Sequence, residues 1–198
     1  MNMVQRVQDI LLKPKETWPA IDAEPATPAS IYQPYLLVLA AIPAVAGLIG
    51  MSLIGIGGFG VSLRVPFVTG LAQAVLSYGL TLVMIYVLAW LVHTLASNFN
   101  AQGDFIAALK LVAYASTAAL VGGVFSLIPA LGVLGLLASL YSIYLLYLGV
   151  PVMMKCPEDK TLVYTVVIVV CGIVAGVLLG LLSALMTPGM GPSMMMGR

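Results

Sequence analysis

Thr161-Leu-Val-Tyr-Thr-Val-Val-Ile-Val-Val-Cys-Gly-Ile-Val-Ala-Gly-Val-Leu-Leu-Gly-Leu-Leu-Ser-Ala-Leu-Met186 contains no charged residue. It is longer than the roughly 20 apolar residues that carry a helix across the bilayer core. Working outward, four more such stretches appear, at about Tyr32–Ile54, Pro66–Leu95, Phe105–Ile128 and Ala130–Met154. None alternates polar and apolar residues, which sets aside a membrane β-barrel. The whole chain agrees: 198 residues, 62% hydrophobic and only 8% charged, with a mean hydropathy of +1.12. A soluble domain averages about 25% charged residues and a disordered chain is poor in apolar ones. Both classes are excluded. The reading is an all-α polytopic membrane protein, a bundle of five transmembrane helices. Residues 1–31 precede the bundle, 32–186 form it, and 187–198 are a flexible, methionine-rich tail.

Orientation follows from lysine and arginine. Arg6, Lys13, Lys15, Lys110, Lys155 and Lys160 fall on one side of such a five-span chain, and only Arg64 and Arg198 on the other. This puts the N-terminus in the cytoplasm and the C-terminus outside; the membrane is expected to be the cell's inner (plasma) membrane. Residues 1–30 show no signal-peptide pattern, so the first span is expected to direct insertion. Lys110, just inside the third span, is expected to snorkel to the headgroups. Met3, Val7, Ile10 and Leu11 share one face of a short amphipathic helix expected to lie on the leaflet. Trp18 reads as an interfacial anchor, and Pro19, Pro25, Pro28 and Pro34 as punctuation of an extended linker.

Chemistry is sparse. The net charge of +1 gives nucleic acid nothing to bind. The single histidine, His93, sits at a span end, and the seven acids lie in tails and loops. No nucleophile–base set assembles, so no enzyme is expected, and no cofactor. Cys156 and Cys171 form neither a disulfide framework nor a metal knuckle. The loop Gly55-Ile-Gly-Gly-Phe-Gly60 lacks the lysine of a phosphate loop and reads as a flexible turn. The methionine tail lacks the His and Cys that would make copper binding persuasive.

Three constellations remain. Tyr114, Ser116 and Thr117 on the third span and Tyr141 and Tyr144 on the fourth suggest a polar seam across a tight hairpin at Pro129. Lys155, Glu158, Asp159 and Lys160 form a charged cytoplasmic loop. Gly172, Gly176, Gly180 and Ala184 make a small-residue groove along the fifth span, for another helix of the chain, a second protomer or a protein partner.

The run Tyr144-Leu-Leu-Tyr-Leu-Gly-Val-Pro151, followed by Met-Met-Lys-Cys-Pro-Glu-Asp-Lys160, resembles the short bacterial members of the Yip (Ypt-interacting protein) domain family. Leu12-Lys-Pro-Lys-Glu-Thr-Trp18 with Ile21 resembles that family's entry segment, and Tyr114-Ala-Ser-Thr117 also matches, with Ala118 where the family pattern has Pro. The resemblance implies five spans and a cytoplasmic N-terminus. Eukaryotic members bind prenylated Rab-type GTPases, act in vesicle budding and organelle shaping, and have longer N-terminal regions than this one. That role is therefore not carried over, and the bacterial members are generally without an assigned function. The expected function is a non-enzymatic membrane scaffold or adaptor contacting lipids or a protein partner. The alternative is transport, permeation or lipid handling along the seam between the third and fourth helices.

Overall fold

A computed structural model describes residues 2–58 and 61–186. Among these described residues, five helices are long and apolar enough to cross a membrane. We number the helices α1 (Met3–Leu12), α2 (Pro14–Ala23), α3 (Pro28–Ile54), α4 (Phe67–Phe99), α5 (Phe105–Leu127), α6 (Gly132–Met153) and α7 (Glu158–Met186). Between α3 and α4, Ile56–Gly58 pairs antiparallel with Val61–Leu63, with Ile56 opposite Leu63. Of the loop expected to be a flexible turn, Ile56–Gly58 thus form one strand of this pair. Phe59, Gly60, the side chain of Ala184 and the methionine tail lie outside what is described.

The spans begin where local chemistry permits. The α3 helix opens with a capping box, Thr27 and Ser30 each bonding the other's backbone N–H. It starts earlier than expected, at Pro28, and Gln33 breaks its φ/ψ pattern (φ −103°, ψ 123°). At the start of α5, the Asp104 carboxylate accepts from the Ala107 N–H at 2.7 Å. Glu158 and Asp159 occupy the first turn of α7, where negative charge suits the helix dipole.

The third span is the axis of the bundle. In α5 61% of the most apolar window is buried, against 17–22% for the other spans. It packs against α3, α4 and α6 and also meets α1. Its composition explains this position: Ala107, Ala108, Ala113, Ala115 and Ala118 are all buried, and small side chains let neighbouring backbones come close. Contact between α3 and the end of α5 is tighter still. A Cβ on Gly50 would lie 2.0 Å from the Ser126 carbonyl oxygen.

The sequence reading of the N-terminal residues needs correction. Pro14–Ala23 is a second helix rather than an extended linker. Proline at its first position costs no hydrogen bond, since that N–H has no partner in any helix. The α1 face bearing Ile10 is turned into the bundle, with Ile10 fully buried and Met3, Val7 and Leu11 packed against the core. Trp18 is also fully buried, so it is not an interfacial anchor. These side chains find a protein groove between α5 and α6 more apolar and better fitted than a headgroup layer.

Candidate functional site

Polar and charged side chains gather where α1 and α2 sit on α5. Arg6 is 8% exposed and pairs with Glu24, which is 46% exposed. The Arg6 guanidinium also lies 5.9 Å from the centre of the Tyr114 ring, within cation–π range. Tyr114 in turn packs against Tyr35 at 4.8 Å between ring centres. The Tyr35 hydroxyl and Thr117 Oγ1 share a buried hydrogen bond of 2.7 Å.

Lys110 corrects a second expectation. It does not snorkel: it is buried, and Nζ donates to the carbonyls of Ile21 at 2.8 Å and Asp22 at 3.4 Å, and also to that of Glu24. Those carbonyls close the C-terminal end of α2, whose last turn has no basic residue of its own. A helix end of this kind carries partial negative charge and unpaired acceptors. A lysine from α5 supplies both the charge and the donors.

The five residues of the expected seam do not form one seam. Tyr114 and Thr117 face Tyr35 on the first span. Tyr141 donates instead to the Leu11 carbonyl of α1 at 2.7 Å, while its ring lies 5.6 Å from that of Tyr144. Tyr144 is largely exposed. Ser116 turns back to its own helix, bonding the Val112 carbonyl at 2.7 Å. The polar link between α5 and α6 is a different one, the Ala119 N–H donating to Ser142 Oγ at 2.8 Å. Beside it Gly122 meets Ala138 so closely that a Cβ there would lie 2.3 Å from the Ala138 methyl. The two helices are thus in close contact at this level.

The charged loop lies at the same end. Lys155 adopts a left-handed conformation at φ 49°, and it, Glu158 and Asp159 are exposed, with Lys160 half-buried. The Asn100–Gly103 turn braces this loop, Gln102 N–H donating to the Met154 carbonyl at 2.8 Å. Cys156 is buried in the loop, and burial pushes its thiol above the ordinary range. Along α7, a Cβ on Gly172 would lie 3.6 Å from Leu88, whereas Gly176 and Gly180 have nothing within 4 Å. Among the described residues of the small-residue groove, the chain's own helices therefore reach Gly172 but not Gly176 or Gly180. Among the described residues no group of three or more His, Cys, Asp and Glu side chains could hold a metal ion.

Sequence reasoning missed Tyr32, Tyr35, Tyr78 and Tyr164. Tyr32 donates to the Leu82 carbonyl at 2.9 Å and Tyr78 to that of Leu37 at 3.3 Å, joining α3 to α4. Tyr164 joins α7 to α4 through the Val92 carbonyl and stacks on Phe99. The signal was present: a phenol inside an apolar span must find an acceptor, and another helix's carbonyl serves.

The Arg6–Glu24 pair gives a prediction. Glu24→Gln should cost about 1 kcal/mol, discounted because the carboxylate is half-exposed. Arg6→Met together with Glu24→Gln should cost less than the sum of the two singles. A double-mutant cycle of thermal unfolding in detergent checks this; additive costs would mean that the pair contributes no coupling.

Comparison with solved structures finds no significant match. Two curated relatives are the inner membrane protein YohC of Escherichia coli K12 and that of E. coli O6:H1. Each is 29% identical over 127 residues, which is 64% of this chain and 65% of the relative. The chain thus spans just under two thirds of the length of these relatives. The Yip1 domain family model matches residues 9–188. That match takes in α2, where Trp18 is seated, and all five spans: the chain belongs to the Yip1 domain family.

Proposed function

We propose that this chain is a non-enzymatic adaptor of the inner membrane, with its N-terminus in the cytoplasm and its C-terminus outside. It would hold a protein partner at the cytoplasmic loop formed by Lys155, Glu158, Asp159 and Lys160. The observation that carries the reading is the segregation of charge. Of the exposed charged side chains among the described residues, Lys13, Lys15, Glu16, Asp22, Glu24, Asp104, Lys155, Glu158 and Asp159 gather at the end where α1 and α2 dock, and Arg64 lies at the other. The inner-membrane location of the E. coli relatives and the lysine and arginine bias support the placement. Because α1 and α2 are seated in the bundle, the α6–α7 loop offers the more accessible contact.

The test is photo-crosslinking in native membranes from probe residues at positions 155 and 159, with a control probe at Val163 on the flank. A discrete adduct at the loop positions, with the one from position 159 lost when Lys155 and Lys160 are both replaced by Ala, is the expected result. Identical adducts from loop and flank would reject the adaptor reading. Cysteines placed at 155 should react only with reagent added from the cytoplasmic side; labelling from outside would reverse the orientation.

A further inference from the structure

A cavity of about 240 Å³ opens between α3 and α4, at the end of the bundle away from α1 and α2. Pro43, Gly47, Met51, Gly70, Gln73 and Ser77 line it. Most of this wall is apolar, but Gln73 is an exposed amide on a membrane-spanning helix. Among the described residues its side chain makes no hydrogen bond, whereas Ser77 is satisfied by the Ala74 carbonyl at 3.0 Å. An amide facing hydrocarbon without a partner is costly. Val65 lies at the cavity rim, and exposed Arg64 immediately precedes it. Every aspartate and glutamate of the sequence lies at the other end of the bundle, in segments 9–24, 104 and 158–159, so no carboxylate side chain is at hand to pair with Arg64.

These features have the order and spacing of a phospholipid. Ten residues of helix separate Phe67 from Ser77, about 15 Å, which is one leaflet's share of the roughly 30 Å hydrocarbon core. A guanidinium at the rim suits a phosphate. A carboxamide one step down suits a glycerol ester carbonyl, and the apolar cleft below suits an acyl chain. We propose that the α3–α4 cleft is a binding site for one anionic phospholipid of the leaflet on the Arg64 side. The Arg64 side chain takes the phosphate, Gln73 donates to an ester carbonyl, and one chain lies between Pro43, Gly47 and Gly70. A larger groove between α3 and the end of α5, bounded by Val38, Ile42, Ala46 and Leu127, has no polar lining residue. It offers acyl chains a surface without a headgroup contact and makes an internal comparison.

The full-length protein in lipid nanodiscs can be labelled with phosphatidylglycerol carrying a photoreactive group on one acyl chain. Phosphatidylcholine with the same chain is the reference probe. Adducts should concentrate on peptides holding Met51 and residues 65–77, with phosphatidylglycerol favoured at least threefold. Gly47→Leu fills the cleft, and because a Cβ there meets nothing within 4 Å, the variant should fold; labelling should fall at least fivefold. Arg64→Gln should abolish the preference for phosphatidylglycerol while leaving chain labelling intact. Labelling spread evenly over lipid-facing positions such as Val68 and Val163, or unchanged in Gly47→Leu with normal thermal unfolding, would overturn the proposal in favour of an ordinary lipid annulus.

Discussion

Lys110→Met should lower the stability of the folded protein by about 3 kcal/mol and release α2 from the bundle. The side chain keeps its length and apolar stem but loses its ammonium. Carbonyls of Ile21, Asp22 and Glu24 then lose their shared donor. A hydrogen bond to a charged group contributes about 1.5–3 kcal/mol net, and buried acceptors left unpaired add their own desolvation cost. Loss of the positive charge also removes its favourable interaction with the end of the α2 dipole. Amide exchange in residues 14–24 should accelerate well before the spans open, since local openings cost less than global ones. Lys155→Met, on the exposed loop, should leave both quantities unchanged. If exchange in α2 is the same in Lys110→Met as in the parent, the lysine is not what holds that helix.

Gly149→Ala should be nearly as disruptive to the seating of α2. A methyl there would lie 2.5 Å from Leu111 Cδ1 and 2.7 and 2.8 Å from Trp18 Cζ2 and Cε2. Real Cβ atoms do not approach that closely, and an indole ring cannot bend aside. Overpacking of this kind costs about 1–3 kcal/mol. Emptying the site by Trp18→Ala should cost about 3 kcal/mol or more. The two changes together should cost less than their sum, because the added methyl no longer meets a ring. Emission from Trp18, isolated by Trp90→Phe, should shift to the red in Gly149→Ala. An unshifted spectrum would mean that the ring stays buried and the helices yield instead.

These two contacts show where sequence reading stops. The five spans were legible because charge-free length is a local property. The two motifs that carried the family resemblance, Leu12–Trp18 and Tyr144–Pro151, were legible as motifs, yet nothing local said that Trp18 rests on Gly149. A glycine inside a helix loses about 1 kcal/mol against alanine, and that was the available hint of a close neighbour. Lys110 was harder: snorkelling and helix capping use the same side chain at the same depth. What separates them is a partner 89 residues earlier. The tyrosine seam failed for a related reason. Spacing puts Tyr114 and Thr117 on one face of α5, but not which neighbour covers it, and Tyr35 does. Alanine density in the third span was the clue, not taken, to a helix enclosed on several sides.

The seating of α1 and α2 also has a consequence for the order of assembly. Leu11 bonds Tyr141 across 130 positions, and Ile21 bonds Lys110 across 89. Synthesis proceeds from the N-terminus, so α1 and α2 leave the ribosome before α5 and α6 and have no docking surface until the third and fourth spans are in place. Throughout that interval Ile10 and Trp18 must wait uncovered, at the membrane surface or in the grip of a chaperone. Those two helices are thus late to find their place, and a ribosome stalled before residue 141 should leave them within reach of a protease that the finished protein resists.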